Sequence, residues 1–341
     1  MAFKVTLQPS GHAFEARAEL TLLESALDAG VHVPYGCRNG ACGACKAKVV
    51  EGRVDHGAAQ DHALTPDERA AGLTLLCCAR PQTDLAVECR EARAESDVPV
   101  KTLPARVQVL ERVAPDVIVM KLKLPANERL QFLAGQYVEF LLADGKRRAF
   151  SIANAPQDDE LLELHVRRVP GGSFTEHVFG AMKERDIVRI EGPHGSFGLQ
   201  ELSTKPVILL AGGTGFAPIK SIVEHTIHHR IERPLAFYWG ARDRAGLYSA
   251  LPEQWAASLP HFAYVPVLSE ATAADAWNGR TGLVHQAVLD DIPDLSGHQV
   301  YACGAPAMIE AARRDFCARG LPEAEFYADA FTWAAPAGGA A

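Results

Sequence analysis

Cysteine is the residue whose spacing points most directly to chemistry in this 341-residue chain. Three of the eight cysteines, Cys37, Cys42 and Cys45, form a C-x4-C-x2-C run, and small residues such as Gly40 and Gly43 fill most of its gaps. Thiolates in such a run can bind zinc or an iron–sulfur cluster, and small residues let backbone N–H groups approach the sulfur atoms. Structural zinc usually takes two C-x2-C-type pairs, whereas this sequence has one. The run therefore favours a cluster of two irons over zinc.

The fourth ligand of such a cluster is ambiguous between the adjacent residues Cys77 and Cys78. A C-x4-C-x2-C run with a distant fourth cysteine is the ligand spacing of plant-type [2Fe–2S] ferredoxins. Those proteins carry a pattern similar to L-x-C-x-A-x-P at the fourth ligand, which lies four residues before the proline. In this chain the cysteine four residues before Pro81 is Cys77. We expect Cys78 to be a small buried neighbour, and Cys89 and Cys317 to be core residues. The sequence leaves the choice between Cys77 and Cys78 open.

The elements that must hold these cysteines form a small α+β unit over residues 1–93. Alternation of apolar residues predicts strands at 3–7 and 12–18. Helical spacing predicts a helix near 21–29, which Gly30 ends.

Two changes of pattern divide the rest of the chain. A charged stretch with two prolines and no periodicity predicts a linker at 94–104. Short alternating strands predict a small antiparallel β-barrel at 105–200. Strands that alternate with helices predict a doubly wound parallel sheet over 201–333. The predicted fold class is therefore multidomain α+β and α/β, with a disordered tail of small residues at 334–341.

Composition disfavours two classes of protein. The chain has 34 lysines and arginines against 42 acidic residues, a net charge of −8, whereas a dedicated nucleic-acid-binding protein is normally basic. No run approaches the roughly 18 apolar residues of a membrane span, and the first residues alternate like a strand and unlike a signal peptide. We expect a cytoplasmic monomer with reduced cysteines, no nucleic-acid partner and no membrane span.

Two motifs of the barrel region could bind an anion. Arg148 precedes Phe150 and Ser151 on a predicted strand, and the planar guanidinium of arginine matches phosphate oxygens. Further on, a turn opens a short helix whose N-terminal N–H groups attract anions; its candidate residues are Gly172, Ser173 and Thr175. His165 and Arg167 alternate to one face of the strand before this turn. Taken alone, the motifs are equally explained by an exposed arginine and a helix cap.

A glycine-rich turn follows the buried strand PVILLA and opens a helix. Glycines there permit a tight turn and close approach to a pyrophosphate, whose charge the helix N-terminus favours. The residues concerned are Gly212, Gly213, Thr214, Gly215 and Pro218. Cys303 and Gly304 end the last strand of the same region in the sequence CGAPAM, and the plain alternative for Cys303 is a buried strand-end cysteine.

Together these motifs resemble the NADH-dependent iron–sulfur flavoprotein reductases of the ferredoxin–NADP reductase superfamily. The resemblance covers nearly the whole chain: a β-grasp plant-type ferredoxin domain, a flavin barrel and a nicotinamide domain follow one another in the reductase components of bacterial oxygenases such as phenol hydroxylase and benzoate dioxygenase. In detail the chain is closer to the CDP-6-deoxy-glucoseen reductase type, through YGCRNGACG, GGSFTEHVFGAMKERD, GGTGFAPIK and FYADAF. The resemblance implies a [2Fe–2S] cluster, FAD and NADH.

The resemblance also implies roles for single residues. Arg148 would pair with the flavin phosphate, Phe150 (a tyrosine in the usual pattern) would pack beside the flavin, and Ser151 would reach its N5 atom. The other implied positions are Cys37, Cys42, Cys45 and Cys77 for iron, Gly172, Ser173 and Thr175 with His165 and Arg167 for the flavin pyrophosphate, Gly212, Gly213, Thr214, Gly215 and Pro218 for the dinucleotide, and Cys303 with Gly304 beside the nicotinamide.

The implied reaction passes a hydride from NADH to FAD and single electrons through the cluster to a protein acceptor, either an oxygenase component or a pyridoxamine-dependent dehydrase. A non-enzymatic redox module or sensor is the alternative, and the intact motifs favour the enzyme. Glu270 follows Ser269 where NADPH-dependent members carry Ser-Arg, so a carboxylate would repel the 2′-phosphate of NADPH. Arg242 or Arg244 could instead supply phosphate contacts; we expect NADH to be preferred.

Overall fold

The computed structural model describes residues 2–89, 93–94, 98–201 and 203–331 and divides into two compact units. The first unit comprises Met1–Pro99 with the short segments Gly195–Phe197 and Ala328–Thr332, and the second comprises the remaining residues. The predicted tail at 334–341 and residues 95–97 of the predicted linker lie outside the described residues.

The first unit is a mixed sheet with a helix packed on it. Its elements are β1 (Ala2–Gln8), β2 (Ala13–Arg17), α1 (Leu22–Asp28), β3 (Val31–His32), β4 (Lys46–Glu51), β5 (Val54–Asp55), α2 (Pro66–Ala70), β6 (Leu73–Leu75), β7 (Arg80–Pro81), β8 (Leu85–Glu88) and β9 (Arg93–Ala94). The main sheet has the order β2-β1-β8-β4-β6, in which β1 and β8 are parallel and the other pairs antiparallel. A capping box between Thr21 and Glu24 starts α1, which buries Leu22, Leu23 and Ala26. This is the predicted β-grasp arrangement.

The second unit begins with an antiparallel barrel. Its elements are β10 (Lys101–Ala114), β11 (Val117–Lys123), β12 (Tyr137–Leu141), β13 (Arg147–Ser151), β14 (Leu162–Arg167), α3 (Ser173–Gly180) and β15 (Ile187–His194). The sheet order is β13-β12-β15-β10-β11-β14, and a bridge between Ile152 and Leu164 joins its two edges. Because β10 begins at Lys101, residues 101–104 of the predicted linker belong to a strand. Its first buried positions are Leu103 and Ala105, and the proline between them, Pro104, makes this short alternation look like a linker.

A doubly wound sheet follows the barrel. Its elements are β16 (Val207–Gly212), α4 (Phe216–His228), β17 (Leu235–Ala241), α5 (Leu251–Ser258), β18 (Phe262–Leu268), β19 (Arg280–Thr281), α6 (Val284–Asp291), β20 (Gln299–Gly304), α7 (Pro306–Ala318) and β21 (Phe326–Ala330). The order is β19-β18-β17-β16-β20-β21, with β16 parallel to both β17 and β20. The strand order reverses between β16 and β20, and ligands of such sheets bind at the carboxyl ends of the strands at this reversal.

Among the described residues, no helix combines the length and the apolar character that crossing a bilayer requires.

Candidate functional site

Four cysteine thiols of the first unit lie in two close pairs. The N–H groups of Cys37 and Cys42 each donate to the sulfur of the other residue, at 3.4 and 3.3 Å. The N–H of Cys77 lies 3.5 Å from Sγ of Cys45. A [2Fe–2S] cluster needs four thiolates, two for each iron. The donor set and its pairing therefore fit such a cluster.

The loop between β3 and β4 brings backbone and sulfur close together. Gly40 and Gly43 have φ of +77° and +72°, a conformation that glycine adopts without strain. A Cβ on Gly40 would lie 2.7 Å from Sγ of Cys78 and 3.0 Å from the carbonyl oxygen of Ala58, so a larger residue does not fit. The N–H of Ala44 donates to Sγ of Cys42 at 3.4 Å. Such N–H···S bonds are among the factors that set the potential of a bound cluster.

Cys77 and Cys78 differ in their surroundings. The hydrogen bond with Cys45 is the main cause of a raised pKa at Cys77, whereas the pKa of Cys78 is raised mainly by its hydrogen bond with Cys77. The two sulfur atoms lie 3.7 Å apart. At Cys37 the hydrogen bond with Cys42 lowers the pKa to about 6 although burial opposes this shift. Cys77 thus contacts Cys45, whereas Cys78 packs against Gly40. The choice of Cys77 as the fourth ligand stays a prediction.

The cluster loop is also anchored at Tyr35, which sequence reasoning did not single out. The N–H of Tyr35 donates to Oγ of Ser196 at 2.8 Å, and the N–H of Ser196 donates to the carbonyl oxygen of Tyr35 at 3.1 Å. Ser196 belongs to the first unit although it follows β15 in the chain. No local sequence signal marks this contact.

The barrel carries two adjacent arginines with different contacts. Arg147 forms ion pairs with Glu139, at 2.9 Å, and with Glu191. These carboxylates and His194 could together hold a metal ion, but both carboxylates are already paired with the guanidinium of Arg147. Arg148 donates to the carbonyl oxygen of Arg147 at 2.8 Å and makes no ion pair within the described part of the chain. Arg148 is therefore the arginine that suits a phosphate.

The remaining residues of that strand differ in burial. Ser151 is buried at the end of β13, and Phe150 is half-buried. The Phe150 ring packs at 5.5 Å from both Phe140 and Phe174. The structure thus gives Phe150 an apolar platform, while its contact with the flavin stays a prediction.

The turn before α3 is built around Thr175. Its hydroxyl accepts from the N–H of Val169 at 3.0 Å and lies 3.2 Å from the carbonyl oxygens of Val169 and Gly172. Gly172 is the N-cap of α3 and supplies no side-chain cap, which suits an anion at the first-turn amides, Ser173 included. Thr175 therefore shapes the loop, and the amides are the groups that fit a pyrophosphate.

The glycines of the turn after β16 are packed too closely to be replaced by residues with a side chain. A Cβ on Gly215 would overlap the carbonyl oxygen of Cys303, and one on Gly212 would lie 2.8 Å from Sδ of Met308. Gly213 has φ of +54°, and its carbonyl oxygen accepts from Nε1 of Trp239 at 2.9 Å. Thr214, within this glycine loop (residues 212–215), and Pro218, in the first turn of α4, are both buried. The loop and the start of α4 thus form the close-approach site that a dinucleotide requires.

His165 and Arg167 share a face of β14, as predicted, and each has a contact in the parallel-sheet region. The hydroxyl of Tyr248 is 2.9 Å from Nδ1 of His165, and the guanidinium of Arg167 occupies the space where a Cβ on Gly213 would lie. Arg167 also forms an ion pair with Asp116 at 2.9 Å. Their contact with the flavin pyrophosphate stays a prediction. The structure shows in addition that Arg167 contacts the glycine loop at Gly213.

Cys303 lies at the carboxyl end of β20 and is fully buried, with Gly304 following at φ of +149°. Its position beside Gly215 places it at the strand-order reversal. Its catalytic role stays a prediction.

Glu270 follows β18 and is exposed. Its carboxylate lies 3.9 Å from Nε of Arg242, and its N–H donates to the carbonyl oxygen of Arg242 at 2.8 Å. The guanidinium of Arg244 instead donates to the carbonyl oxygen of Asp275 at 3.4 Å. Of the two competing arginines, Arg242 is thus the one that lies near Glu270.

Family models match three successive regions of the chain. They are a 2Fe-2S iron-sulfur cluster binding domain at 5–82, an oxidoreductase FAD-binding domain at 104–198 and an oxidoreductase NAD-binding domain at 209–314. The chain therefore carries domains for all three predicted cofactors.

Relatives match over nearly the full length. The CDP-6-deoxy-L-threo-D-glycero-4-hexulose-3-dehydrase reductase of Yersinia pseudotuberculosis is 43% identical over 97% of this chain and 99% of its own. A terephthalate 1,2-dioxygenase reductase component of Comamonas is 34% identical over 97% and 98%. The crystal structure of an Amycolatopsis cytochrome P-450 reductase matches with a TM-score of 0.77 and 37% identity over 96% and 98%. On this similarity, the chain belongs to the family of iron–sulfur flavoprotein reductases that serve dehydrases and oxygenases.

Proposed function

We propose that this protein oxidises NADH and passes single electrons to a partner protein, which is either a dehydrase or an oxygenase component. One observation carries the proposal: the guanidinium of Arg167, on flavin-barrel strand β14, lies against Gly213 of the glycine loop. The flavin and nicotinamide regions therefore adjoin at the glycine loop, and hydride transfer between their cofactors requires such a border. When bound, FAD accepts two electrons together and releases them singly, and the cluster carries one at a time.

The residues divide the binding work. Arg148 and the first-turn amides of α3 suit the FAD phosphates, and the glycine loop with the α4 N-terminus suits the NADH pyrophosphate. Cys37, Cys42, Cys45 and Cys77 would hold the cluster. Ser151 is proposed to polarise the flavin and Cys303 to flank the nicotinamide.

The net charge of the chain and its free cysteines support proposals about the docking partner and the cellular compartment. A net charge of −8 favours encounter with a basic docking face. The eight cysteines all lie within the described residues and form no disulfide there, which supports a reducing compartment such as the cytoplasm. The monomeric state stays a prediction.

Anaerobic titration tests the function. Purified protein reconstituted with iron, sulfide and FAD should show flavin and cluster absorbance, and both should bleach when NADH is added. A redox sensor that only binds the cofactors would keep its absorbance, and that result in fully loaded protein would contradict the proposal.

A further inference from the structure

Three polar residues alternate along β14: Glu163, His165 and Arg167, here called the polar stripe. Alternate residues of a strand share a face, and each member of the stripe contacts the parallel-sheet region. Glu163 lies 3.2 Å from Nζ of Lys220, on α4. His165 contacts Tyr248, and Arg167 lies against Gly213. One strand of the flavin barrel therefore borders the parallel-sheet region along its length and meets the glycine loop at Arg167.

Lys220 is unusual because its ammonium group is buried. Its side chain is 9% exposed, and lysine is almost never buried without a partner. Nζ lies 3.0 Å from the Glu224 carboxylate and donates to the carbonyl oxygen of Ala153 at 3.4 Å, in addition to the ion pair with Glu163. Withdrawing an ion from water is costly unless partners of this kind compensate.

The charges around Lys220 balance. Glu163 also pairs with Lys121 at 3.1 Å, so two carboxylates face two ammonium groups. Burial raises the pKa of Glu163, but its hydrogen bond with His165 and the charges of Lys220 and Lys121 outweigh burial and lower it. Burial lowers the pKa of His165 despite the opposing hydrogen bond with Glu163. A neutral His165 can accept from the Tyr248 hydroxyl at Nδ1 and donate from Nε2 to Glu163 at 3.0 Å.

The contacts of Lys220 reach the glycine loop through the helix. Helix α4 begins at Phe216, directly after the loop, and Lys220 is about 6 Å further along the helix axis at 1.5 Å per residue. The neighbouring hydroxyl of Ser221 donates to the carbonyl oxygen of Asn154 at 2.8 Å. The barrel thus holds α4 at two successive positions within two turns of the loop.

We propose that Lys220 is a positioning residue for hydride transfer. Its ion pair with Glu163 fixes the position of α4, and with it that of the glycine loop, relative to the flavin barrel. The proposal rests on the proposed function. Lys220 acts through the helix and takes no part in bond making. Its loss should therefore slow flavin reduction more than it weakens NADH binding.

Stopped-flow reduction of the FAD-loaded full-length protein by NADH tests this. Lys220→Met keeps an unbranched side chain that is one atom shorter and removes its charge. We expect the limiting rate of flavin reduction to fall on the order of 10- to 100-fold, since small misplacements of reacting groups have effects of this size. The Kd for NADH should change little, and the long-wavelength charge-transfer absorbance of nicotinamide over flavin should weaken.

Three further variants separate positioning from general damage. Lys220→Arg should recover part of the rate, and Glu163→Gln combined with Lys220→Met should cost less than the sum of the single changes. Lys205→Met removes another ion pair, 2.7 Å from Glu325, and should leave the rate unchanged. Hydrogen–deuterium exchange of a peptide spanning the glycine loop should quicken in Lys220→Met and not in Lys205→Met, with or without bound FAD.

The outcomes distinguish the two proposals. Wild-type protein that NADH does not bleach would refute the function itself. Bleaching of the wild type together with an unchanged limiting rate in Lys220→Met would overturn the role of Lys220. If Lys220→Met does not fold, the double variant Glu163→Gln with Lys220→Met, which removes both members of the ion pair, takes its place. A wild-type rate in that variant would overturn the role equally.

Discussion

At the scale of single residues, Cys77 and Cys78 make different contacts. Cys77 lies beside Cys45, whereas Cys78 packs on Gly40. We therefore expect Cys77→Ser to abolish the [2Fe–2S] signal in electron paramagnetic resonance of the reduced protein, and Cys78→Ser to leave it nearly intact. A normal signal from Cys77→Ser would place the fourth ligand elsewhere.

Glu270 allows a second prediction at this scale. Its exposed carboxylate lies near Arg242 at the carboxyl ends of β17 and β18, where it would repel a 2′-phosphate and could accept a hydrogen bond from a ribose hydroxyl. We expect kcat/KM for NADH to exceed that for NADPH by roughly tenfold or more, since 1.4 kcal/mol is a factor of about ten. Glu270→Gln should narrow this ratio. Equal efficiencies in the wild type would mean that Arg242 dominates.

At the scale of elements, the glycine loop and β20 are packed without spare room. A Cβ on Gly215 meets backbone of Cys303, which cannot rotate away. We expect Gly215→Ala to retain FAD but to slow flavin reduction by NADH on the order of 10-fold or more, and to destabilise the protein by about 1–3 kcal/mol through overpacking. Thermal unfolding and stopped-flow absorbance measure the two effects.

Gly297 supplies the matched control for this substitution. It lies in the same parallel-sheet region, and a Cβ added there would meet no other atom within 4 Å. Gly297→Ala should therefore leave both measurements at wild-type values. Loss of reduction in both variants would show that the effect is not specific to the loop.

At the scale of the whole molecule, the N-terminal part of the first unit can be removed experimentally. The boundary between Pro99 and Val100 precedes strand β10, so a chain without residues 1–93 should keep the barrel and the parallel sheet. We expect this fragment to reduce ferricyanide with NADH and to fail with cytochrome c, because the one-electron carrier is absent. It should also be less stable than the intact protein, since Phe197 is buried and belongs to the first unit.

Full-length Cys77→Ser is the control for this truncation. It should show the same loss of cytochrome c reduction with the whole chain present. Equal cytochrome c rates in the fragment and the intact protein would contradict the proposed electron path.

Much of the molecule follows from residues that are close in sequence. The predicted strand at 3–7 differs from β1 by one residue at each end, and so does the predicted helix near 21–29 from α1. These elements carry their own apolar periodicity. Strand β10 carries a weaker pattern at its start, where Thr102 and Pro104 take the exposed positions, and its first four residues are predicted as a linker. The start of a strand is therefore predicted wrongly where its first residues carry no clear apolar alternation and pair only in the folded sheet.

The sequence by itself determined the three cofactor domains, because the cysteine run and the glycine loop are sets of neighbouring residues whose types the cofactors restrict. Only the tertiary structure decided what their neighbours do. Ser196 meets Tyr35 across 161 residues, and Lys220 meets Glu163 from a different domain of the second unit. From its sequence alone, a lysine in a helix is expected to be exposed to solvent, whereas the fold buries Lys220. Burial and partners depend on contacts between distant segments, and no local pattern records those contacts.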